Sequence, residues 1–439
     1  MMRTLMERKT SVKSIIAKAA SKRAGVTLLQ SSLMLFQFSA FIILSLKTWP
    51  PDLQALAFAV CLPAVTYLLT RTIPKIWPID SILLTLTLFL CSVSIVTLKD
   101  IARSPTTPQD QSLYMLAGIV AMIAALWFIR RLRNWERWKL ALMIGGAIAL
   151  ALPLAIGEWR FGAKNWISLF DDRLSIQPSE FVKVALILAL AISFSQPNTW
   201  RDRITALGFS VLLFGILLFE RDLGGLLQYF FLTIALFFLG TSNGPLTIAG
   251  LGAGVAGAFV AYNTFDYVQR RVAIFINPWL DPRDSGYQIV QALIAIGSGG
   301  LFGMGLGLGM PRNIPLYHSD FIFAAISEEF GYLFSLCLLG VYVLIIMRGI
   351  SIAMNASNGF HALTAFGISV QIGVQALIVL GGNAKLIPLT GVTLPYVAAG
   401  CSSLVTCLAM TGILLGISSI NTQYERESLA RAEWQEGFK

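Results

Sequence analysis

The chain has 439 residues, of which 56% are hydrophobic and 13% are charged, and its mean hydropathy is +0.72. This composition excludes a soluble globular protein and predicts that most of the chain lies in a lipid bilayer. The net charge of +10 indicates contact with anionic membrane lipids at a basic inner face, and it requires no nucleic acid as a partner.

Twelve hydrophobic segments are long enough to cross a membrane, since the hydrocarbon core requires about 20 residues. Lipid offers the backbone no hydrogen-bond partners, so we expect each segment to be a helix and the fold class to be an all-α polytopic membrane protein. The predicted spans are 26–46, 52–70, 79–98, 113–129, 139–157, 180–195, 204–219, 223–239, 245–262, 320–347, 360–382 and 398–419.

The basic residues predict how these spans are oriented. If the N-terminus is cytoplasmic, the inner segments carry most of the 33 Lys and Arg residues, a bias typical of cytoplasmic loops. Both termini are then cytoplasmic, as a basic tail over residues 1–25 and a C-terminal tail over residues 420–439. The longest loop, residues 263–319, lies between the ninth and tenth spans on the extracytoplasmic side. Long loops in compact proteins are more often functional than idle, so we expect the active face there.

Asp320 opens the tenth span and is the first candidate for catalysis. An acid where hydrocarbon meets water costs free energy unless it is hydrated, paired or used. Helical spacing places Glu328 within about 80 degrees of Asp320, and Glu329 nearly opposite. Two acids in one membrane helix are costly together, so we expect one of them to have a basic partner. The candidates for this partner are Arg270, Arg271 and Arg312.

The sixth span begins with a second pair of charged residues. Glu180 and Lys183 are three residues apart, so they lie on one helix face and can pair. Two interpretations stay open, a structural ion pair and a lysine that contacts a phosphate. Asp222 lies in an outer turn, and two interpretations of it also stay open. It caps the helix that begins near residue 223, or it binds a ligand.

Seven glycines fall within residues 297–309. Their spacing fits neither the dinucleotide-binding pattern G-x-G-x-x-G nor a phosphate-binding loop with its lysine. We therefore interpret this glycine-rich stretch as a flexible or re-entrant segment.

The five cysteines and two histidines form no C-x-x-C pair and no histidine cluster. The sequence therefore predicts neither a disulfide framework nor a stored metal. One possibility stays open, namely that a divalent cation, Mg²⁺ or Mn²⁺, binds together with a phosphate substrate.

Six motifs, taken together, resemble one family. They are Gly162-Ala163-x-x-Trp166, Gln177-Pro178-Ser179-Glu180-x-x-Lys183, Asp222-Leu223-Gly224, Arg271-Val272 with Asn277-Pro278-Trp279, Ser319-Asp320-Phe321 through Glu328-Glu329, and Gly391-Val392-x-Leu394-Pro395. Their order between about residues 79 and 419 is similar to that of the SEDS proteins (shape, elongation, division and sporulation) of the RodA, FtsW and SpoVE type.

The resemblance implies a peptidoglycan glycosyltransferase with Asp320 as its catalytic base. Such an enzyme polymerises lipid II at the outer face of the bacterial cytoplasmic membrane, for cell shape, division or sporulation. It works with a class B penicillin-binding protein. The candidate substrate-binding residues are Glu180, Lys183, Asp222, Arg271, Trp166, Gln177, Ser179 and Glu328.

The same resemblance divides the chain into a ten-helix core over residues 76–419 and an additional two-helix segment over residues 26–75. Nothing in the additional segment suggests chemistry, so we expect a lipid-facing or partner-binding helix pair that catalysis does not need. The core departs from the family pattern at Lys164-Asn165, at Glu220-Arg221 and from Ala398 to Cys401.

Glycan transfer from a lipid pyrophosphate needs a base near the acceptor hydroxyl and positive charge near the leaving group. Asp320 can be that base, and Lys183, Arg271 and Arg221 are candidates for the positive charge. Two other functions stay open. A lipid II flippase or another transporter would carry ionisable residues near the middle of the bilayer and an internal repeat. A non-catalytic scaffold for a penicillin-binding protein would not need Asp320.

Overall fold

The structure is a computed structural model that describes residues 2–101, 106–160, 162–169, 174–195, 199–284 and 286–437. It confirms the twelve predicted spans as helices of sufficient length and hydropathy to cross a membrane. The helices are α1 (Met2–Leu46), α2 (Leu53–Ile76), α3 (Ser81–Ile101), α4 (Thr106–Arg131), α5 (Lys139–Ile156), α6 (Pro178–Ser195), α7 (Trp200–Phe219), α8 (Leu223–Thr241), α9 (Gly244–Thr264), α10 (Asp266–Ile276), α11 (Tyr287–Ser298), α12 (Ile322–Met354), α13 (Gly359–Asn383) and α14 (Cys401–Gly437).

Two parts of the fold differ from the predicted elements. The long outer loop contains the short helices α10 and α11. The connection between α5 and α6 forms an antiparallel sheet in the order β1 (Glu158–Arg160), β2 (Ala163–Leu169) and β3 (Leu174–Ile176). The Lys164 N–H donates to the Glu220 carbonyl at 2.9 Å, so this sheet is attached to the outer turn between α7 and α8.

The spans differ strongly in burial, and this difference shows which helices form the centre. In α3 and α14, 83% of the spanning window is buried, and in α6 and α13 the share is 78% and 72%, against 6% in α9. Polar side chains on the central helices must therefore find partners inside the protein, because neither water nor lipid headgroups reach them.

A backbone break divides α12. Gly331 has φ 80° and ψ 177°, which no helix accommodates, so α12 consists of a short outer half, residues 322–330, and a longer inner half. The break leaves backbone groups on both sides without helical partners. The glycine-rich segment, residues 299–310, supplies those partners.

Four hydrogen bonds join this segment to the break. The N–H groups of Met304 and Gly305 donate to the carbonyls of Glu328 and Glu329 at 2.9 and 3.0 Å, on the outer side of the break. On the other side of the break α12 is the donor. The N–H groups of Tyr332 and Leu333 donate to the carbonyls of Gly300 and Leu301 at 2.9 and 3.2 Å.

The glycines of this segment are required by close backbone approach. A Cβ at Gly299 would overlap the Ser327 carbonyl, and a Cβ at Gly303, whose φ is +82°, would overlap that of Glu329. The segment therefore packs against the backbone of α12 on both sides of the break, and whether it is re-entrant in the membrane stays a prediction.

The additional segment, residues 26–75, forms the hairpin of α1 and α2. It packs on α3, where buried Gln37 donates to the Thr66 hydroxyl at 2.8 Å and to the Ser92 hydroxyl at 2.7 Å. Residues 2–23 continue α1 towards the N-terminus, and α14 continues as far as Gly437.

Candidate functional site

Asp222 is the centre of a hydrogen-bonded cluster in the turn between α7 and α8. One carboxylate oxygen accepts from the Gly225 N–H at 2.7 Å and thereby caps α8. The other accepts from the Asn165 amide at 3.0 Å and from the Gln177 amide at 3.3 Å. Asp222 thus fixes the starts of α6 and α8 and the small sheet relative to one another.

Lys183 lies below this cluster and is 2% exposed. Its ammonium donates to Glu180 at 2.9 Å, to Gln228 at 3.1 Å and to Gln375 at 3.1 Å. A lysine has three donors, so these bonds occupy all of them. Of the two interpretations of the Glu180–Lys183 pair, this geometry favours the structural ion pair, because a phosphate would have to displace an existing acceptor.

Glutamine side chains extend the network into the middle of the bundle. The Gln371 amide donates to Gln228 at 2.6 Å, and the Gln375 amide donates to the Thr393 carbonyl at 2.9 Å. The loop between α13 and α14 is therefore tied to the buried ion pair. The Tyr229 hydroxyl donates to the Ser179 carbonyl at 2.6 Å, which holds the first turn of α6 in place.

Asp320 lies in the turn just before α12, on the other side of the same loop. The Asn383 amide donates to its backbone carbonyl at 2.8 Å. Gly391 lies beside its carboxylate, and a Cβ there would lie in van der Waals contact with Oδ2, at 3.8 Å. Burial raises the pKa of Asp320 to about 6, against the lowering effects of a hydrogen bond from Ser319 and the charge of Arg271.

Arg271 connects the two acids. It lies on α10, and its guanidinium donates to the Leu389 carbonyl at 3.2 Å. Burial lowers the pKa of Arg271, whereas the charges of Asp222 and Asp320 raise it. A guanidinium that interacts with both carboxylates places positive charge between them.

The Asp222 and Lys183 groups line a narrow cleft. Its walls are Gln177, Ser179, Glu180, Lys183, Asp222, Gly225, Gln228, Tyr229, Gly391, Val392 and Thr393. Since Gly391 is shared with the surroundings of Asp320, the proposed base and the cleft lie on either side of one loop.

Glu220 is a further acid beside Asp222. Its side chain is fully buried, and neither carboxyl oxygen has a hydrogen-bond partner among the described residues. Burial, followed by the charge of Asp222, raises its pKa to about 9. At neutral pH Glu220 therefore keeps its proton. Its neighbour Arg221 stacks on the rings of Trp159 and Tyr267, 5.0 and 5.4 Å from their centroids.

Two of the predicted site residues lie elsewhere. Trp166 pairs with Glu158 in the sheet, and Asn165, on the opposite face of the strand, is the residue that contacts Asp222. The Glu328 carboxylate accepts from the Met310 N–H at 2.9 Å, so Glu328 holds the glycine-rich segment. The structure brings together the other predicted residues, which are Gln177, Ser179, Glu180, Lys183, Asp222, Arg271 and Asp320.

The sequence reasoning missed several amide side chains of this site. They are Asn165, Gln228, Gln371, Gln375 and Asn383. Gln371 and Gln375 carry a detectable signal, since two amides one helical turn apart in an otherwise apolar span require internal partners.

Comparison with known proteins assigns the chain to a family. Residues 76–423 match the family model FtsW/RodA/SpoVE, described as cell cycle protein. Over 339 residues, covering 72% of this chain, it is 35% identical to "Peptidoglycan glycosyltransferase RodA" of Mycobacterium tuberculosis, of which 71% is covered. Over 320 residues it is 36% identical to "Stage V sporulation protein E" of Bacillus subtilis, covering 70% of this chain and 86% of that protein. The chain belongs to the FtsW/RodA/SpoVE family.

Solved structures support the same assignment. A chain from a study of polymerization and crosslinking by a peptidoglycan synthase complex matches with a TM-score of 0.67 and 28% identity, over 79% of this chain and 99% of that one. The crystal structure of the rod shape determining protein RodA of Thermus thermophilus matches with a TM-score of 0.59 and 27% identity, over 77% of this chain and 96% of that one.

Proposed function

We propose that this multi-pass membrane protein is a peptidoglycan glycosyltransferase that polymerises lipid II at the outer face of the bacterial cytoplasmic membrane. The observation that carries the proposal is the placement of Asp320, a half-buried acid with a pKa of about 6, near Arg271 and across the Gly391 loop from a polar cleft. Relatives named peptidoglycan glycosyltransferases support the reaction class.

The proposed reaction is a proton transfer coupled to substitution at an anomeric carbon. Asp320 takes the proton of the acceptor sugar hydroxyl, and the resulting oxygen forms a bond to the donor's anomeric carbon. The bond from that carbon to the pyrophosphate breaks, and the electron pair leaves with the lipid pyrophosphate. Arg271 places positive charge where the negative charge of the leaving group develops.

Lys183 has a positioning role in this proposal. Its ammonium is saturated by Glu180, Gln228 and Gln375, so it stabilises the walls of the cleft instead of contacting the pyrophosphate. A divalent cation, Mg²⁺ or Mn²⁺, enters only as a companion of the pyrophosphate. Among the ranges that the structure describes, no group of three or more His, Cys, Asp or Glu side chains could hold a metal ion.

The proposal places both termini in the cytoplasm and the cleft outside, as the distribution of basic residues favours. It also includes a class B penicillin-binding protein as partner. Support for the partner comes from the structural match in a study that concerns both polymerization and crosslinking.

The test is polymerisation of labelled lipid II by the purified full-length chain, alone and with a candidate penicillin-binding protein. We expect Asp320→Asn to reduce the rate by about 100- to 10,000-fold, the usual contribution of a catalytic base. The matched control is Asp266→Asn, an exposed acid in the first turn of α10, which should leave the rate unchanged. Near-normal polymerisation by a folded Asp320→Asn variant would remove Asp320 from the reaction and favour the scaffold function.

Lipid transport is the second candidate function, and the break in α12 favours it, because discontinuous helices beside re-entrant segments occur in transporters. Transport of labelled lipid II across vesicle membranes separates the two functions. Transport without polymerisation by the wild-type chain would support the flippase and contradict the glycosyltransferase.

A further inference from the structure

Two ion pairs attach the outer turn of the α1–α2 hairpin to the end of α3. Lys47 bonds to Asp100 at 2.8 Å, and Asp52 bonds to Lys99 at 2.7 Å. The hairpin lies outside the residues that match the family model, which begin at 76. These contacts are thus made by a part of the chain that the family model does not include.

Lys47 also reaches the break in α12. A Cβ at Gly307 of the glycine-rich segment would overlap the Lys47 ammonium. The carboxyl group of Glu329, at the end of the outer half of α12, interacts with Lys47, with the Asp100 carboxyl and with the Gly307 N–H. Lys47 therefore lies where the hairpin, α3, the glycine-rich segment and α12 meet.

The two acids at this point share a hydrogen bond, so one of them keeps its proton and the pair carries a single negative charge. Asp100 and Glu329 are 8% and 2% exposed, and each has one buried carboxyl oxygen without a hydrogen-bond partner among the described residues. Lys47, whose side chain is 40% exposed, bonds to Asp100 of this pair. Arg312 lies close by and donates to the Ile101 and Asp100 carbonyls. Without Lys47 the single negative charge of this buried pair would lose its bonded cation, which is unfavourable.

We propose that Lys47 is a positioning residue for Asp320: by compensating the Asp100–Glu329 pair, it keeps the glycine-rich segment closed over the break in α12. This rests on the proposed function, in which Asp320 is the base. If Lys47 is removed, the two acids gain most by opening to water, and opening breaks the bonds from Met304 and Gly305 to α12. The outer half of α12 is short, so its displacement reaches Asp320, which directly precedes it.

The proposal replaces the sequence expectation that the hairpin is dispensable for catalysis. It also explains why a lysine is needed at this point. Its ammonium meets two carboxyls and the glycine-rich segment at once, and a shorter or neutral side chain cannot compensate the charge.

The experiment compares full-length Lys47→Met, Lys99→Met and Lys47→Met/Asp100→Asn with the wild type. Lys99→Met is the matched control, because it removes the other short ion pair of the same turn without touching Glu329. Two quantities are measured: the turnover of labelled lipid II, and amide hydrogen exchange of residues 299–310 by mass spectrometry. The exchange measurement does not depend on the reaction.

We expect Lys47→Met to lower turnover by up to about 100-fold, the loss that a small misplacement of a reacting group causes, and to speed exchange in residues 299–310. Lys99→Met should change both quantities little. The double variant should recover both, because Asp100→Asn keeps the shape of the side chain and removes the negative charge that Lys47 compensates.

Equal effects of Lys47→Met and Lys99→Met would overturn the proposal, since the hairpin would then act through docking alone. Failure of the double variant to recover slow exchange would overturn it as well. If the wild type does not polymerise lipid II, the proposed function fails, while the exchange pattern still decides whether Lys47 holds the segment closed.

Discussion

The two sides of the Gly391 loop differ in how completely their polar groups are hydrogen-bonded. On one side, Lys183 uses all three donors and Asp222 accepts three bonds. On the other side, burial raises the pKa of Asp320 to about 6, and the described groups that oppose this are Ser319 and Arg271. A saturated network holds its shape, whereas a poorly solvated acid is ready to accept a proton. The comparison indicates that the Lys183 and Asp222 side has a structural role and that the Asp320 side accepts the proton.

The largest expected effect comes from breaking the saturated network. Lys183→Met leaves Glu180 buried without its cation, so we expect a loss of stability of about 3–5 kcal/mol. Glu180→Gln/Lys183→Met should recover most of it, because no charge is then left unpaired. Thermal unfolding in one detergent measures both variants.

Activity of the same double variant decides the role of Lys183. If Lys183 only positions the cleft, polymerisation should return together with thermal stability. A stable double variant with no polymerisation would place Lys183 in contact with substrate, and the contrast between the two sides of the loop would be lost.

The next effect concerns the reactive side. Arg271→Met should lower kcat by about 100- to 1,000-fold, the loss typical of removing a group that stabilises developing negative charge. The control is Arg270→Met, its exposed neighbour on α10, which should act almost as the wild type. Equal losses in both variants would indicate general attraction of an anionic substrate, which the salt dependence of the rate would reveal.

The sequence predicted the spans well because a membrane helix is fixed by hydropathy over a long window. It could not predict the break in α12, which depends on the conformation of Gly331 and on hydrogen bonds from a segment distant in sequence. The glycine-rich segment gave a partial signal, since its composition indicates close backbone approach but not which backbone it approaches.

The candidate site was predicted in part, and the two misplaced residues show why. Helical spacing put Glu328 on the same face as Asp320, yet α12 begins at Ile322, so helical periodicity does not extend to Asp320. Trp166 and Asn165 are neighbours in a strand, where successive side chains point to opposite faces. The sequence alone does not say which face meets Asp222.

A smaller effect is expected on the pH dependence of the reaction. A base must be deprotonated, so the rate should rise with pH through the pKa of Asp320, about 6. Burial raises this pKa and the Ser319 hydrogen bond lowers it. Ser319→Ala should therefore move the rising, acidic part of the pH–rate curve to higher pH. Rates of both proteins between pH 5 and 8 measure the shift. If the acidic part of the pH–rate curve does not move, the ionisation of another group limits the rate at low pH.

The smallest effect concerns Glu220, whose folded pKa of about 9 lies above the usual 4.5. The folded protein keeps a proton that the unfolded chain releases above pH 4.5. Stability should thus be full below that value and fall as pH rises towards 9, by at most about 1.4 kcal/mol per pH unit. Glu220→Gln should remove this fall, because a buried amide carries no proton to lose, and polymerisation at neutral pH should persist. Melting temperatures across pH 5–9 test this against Asp266→Asn, and parallel curves for wild type and Glu220→Gln would mean that Glu220 is ionised and paired.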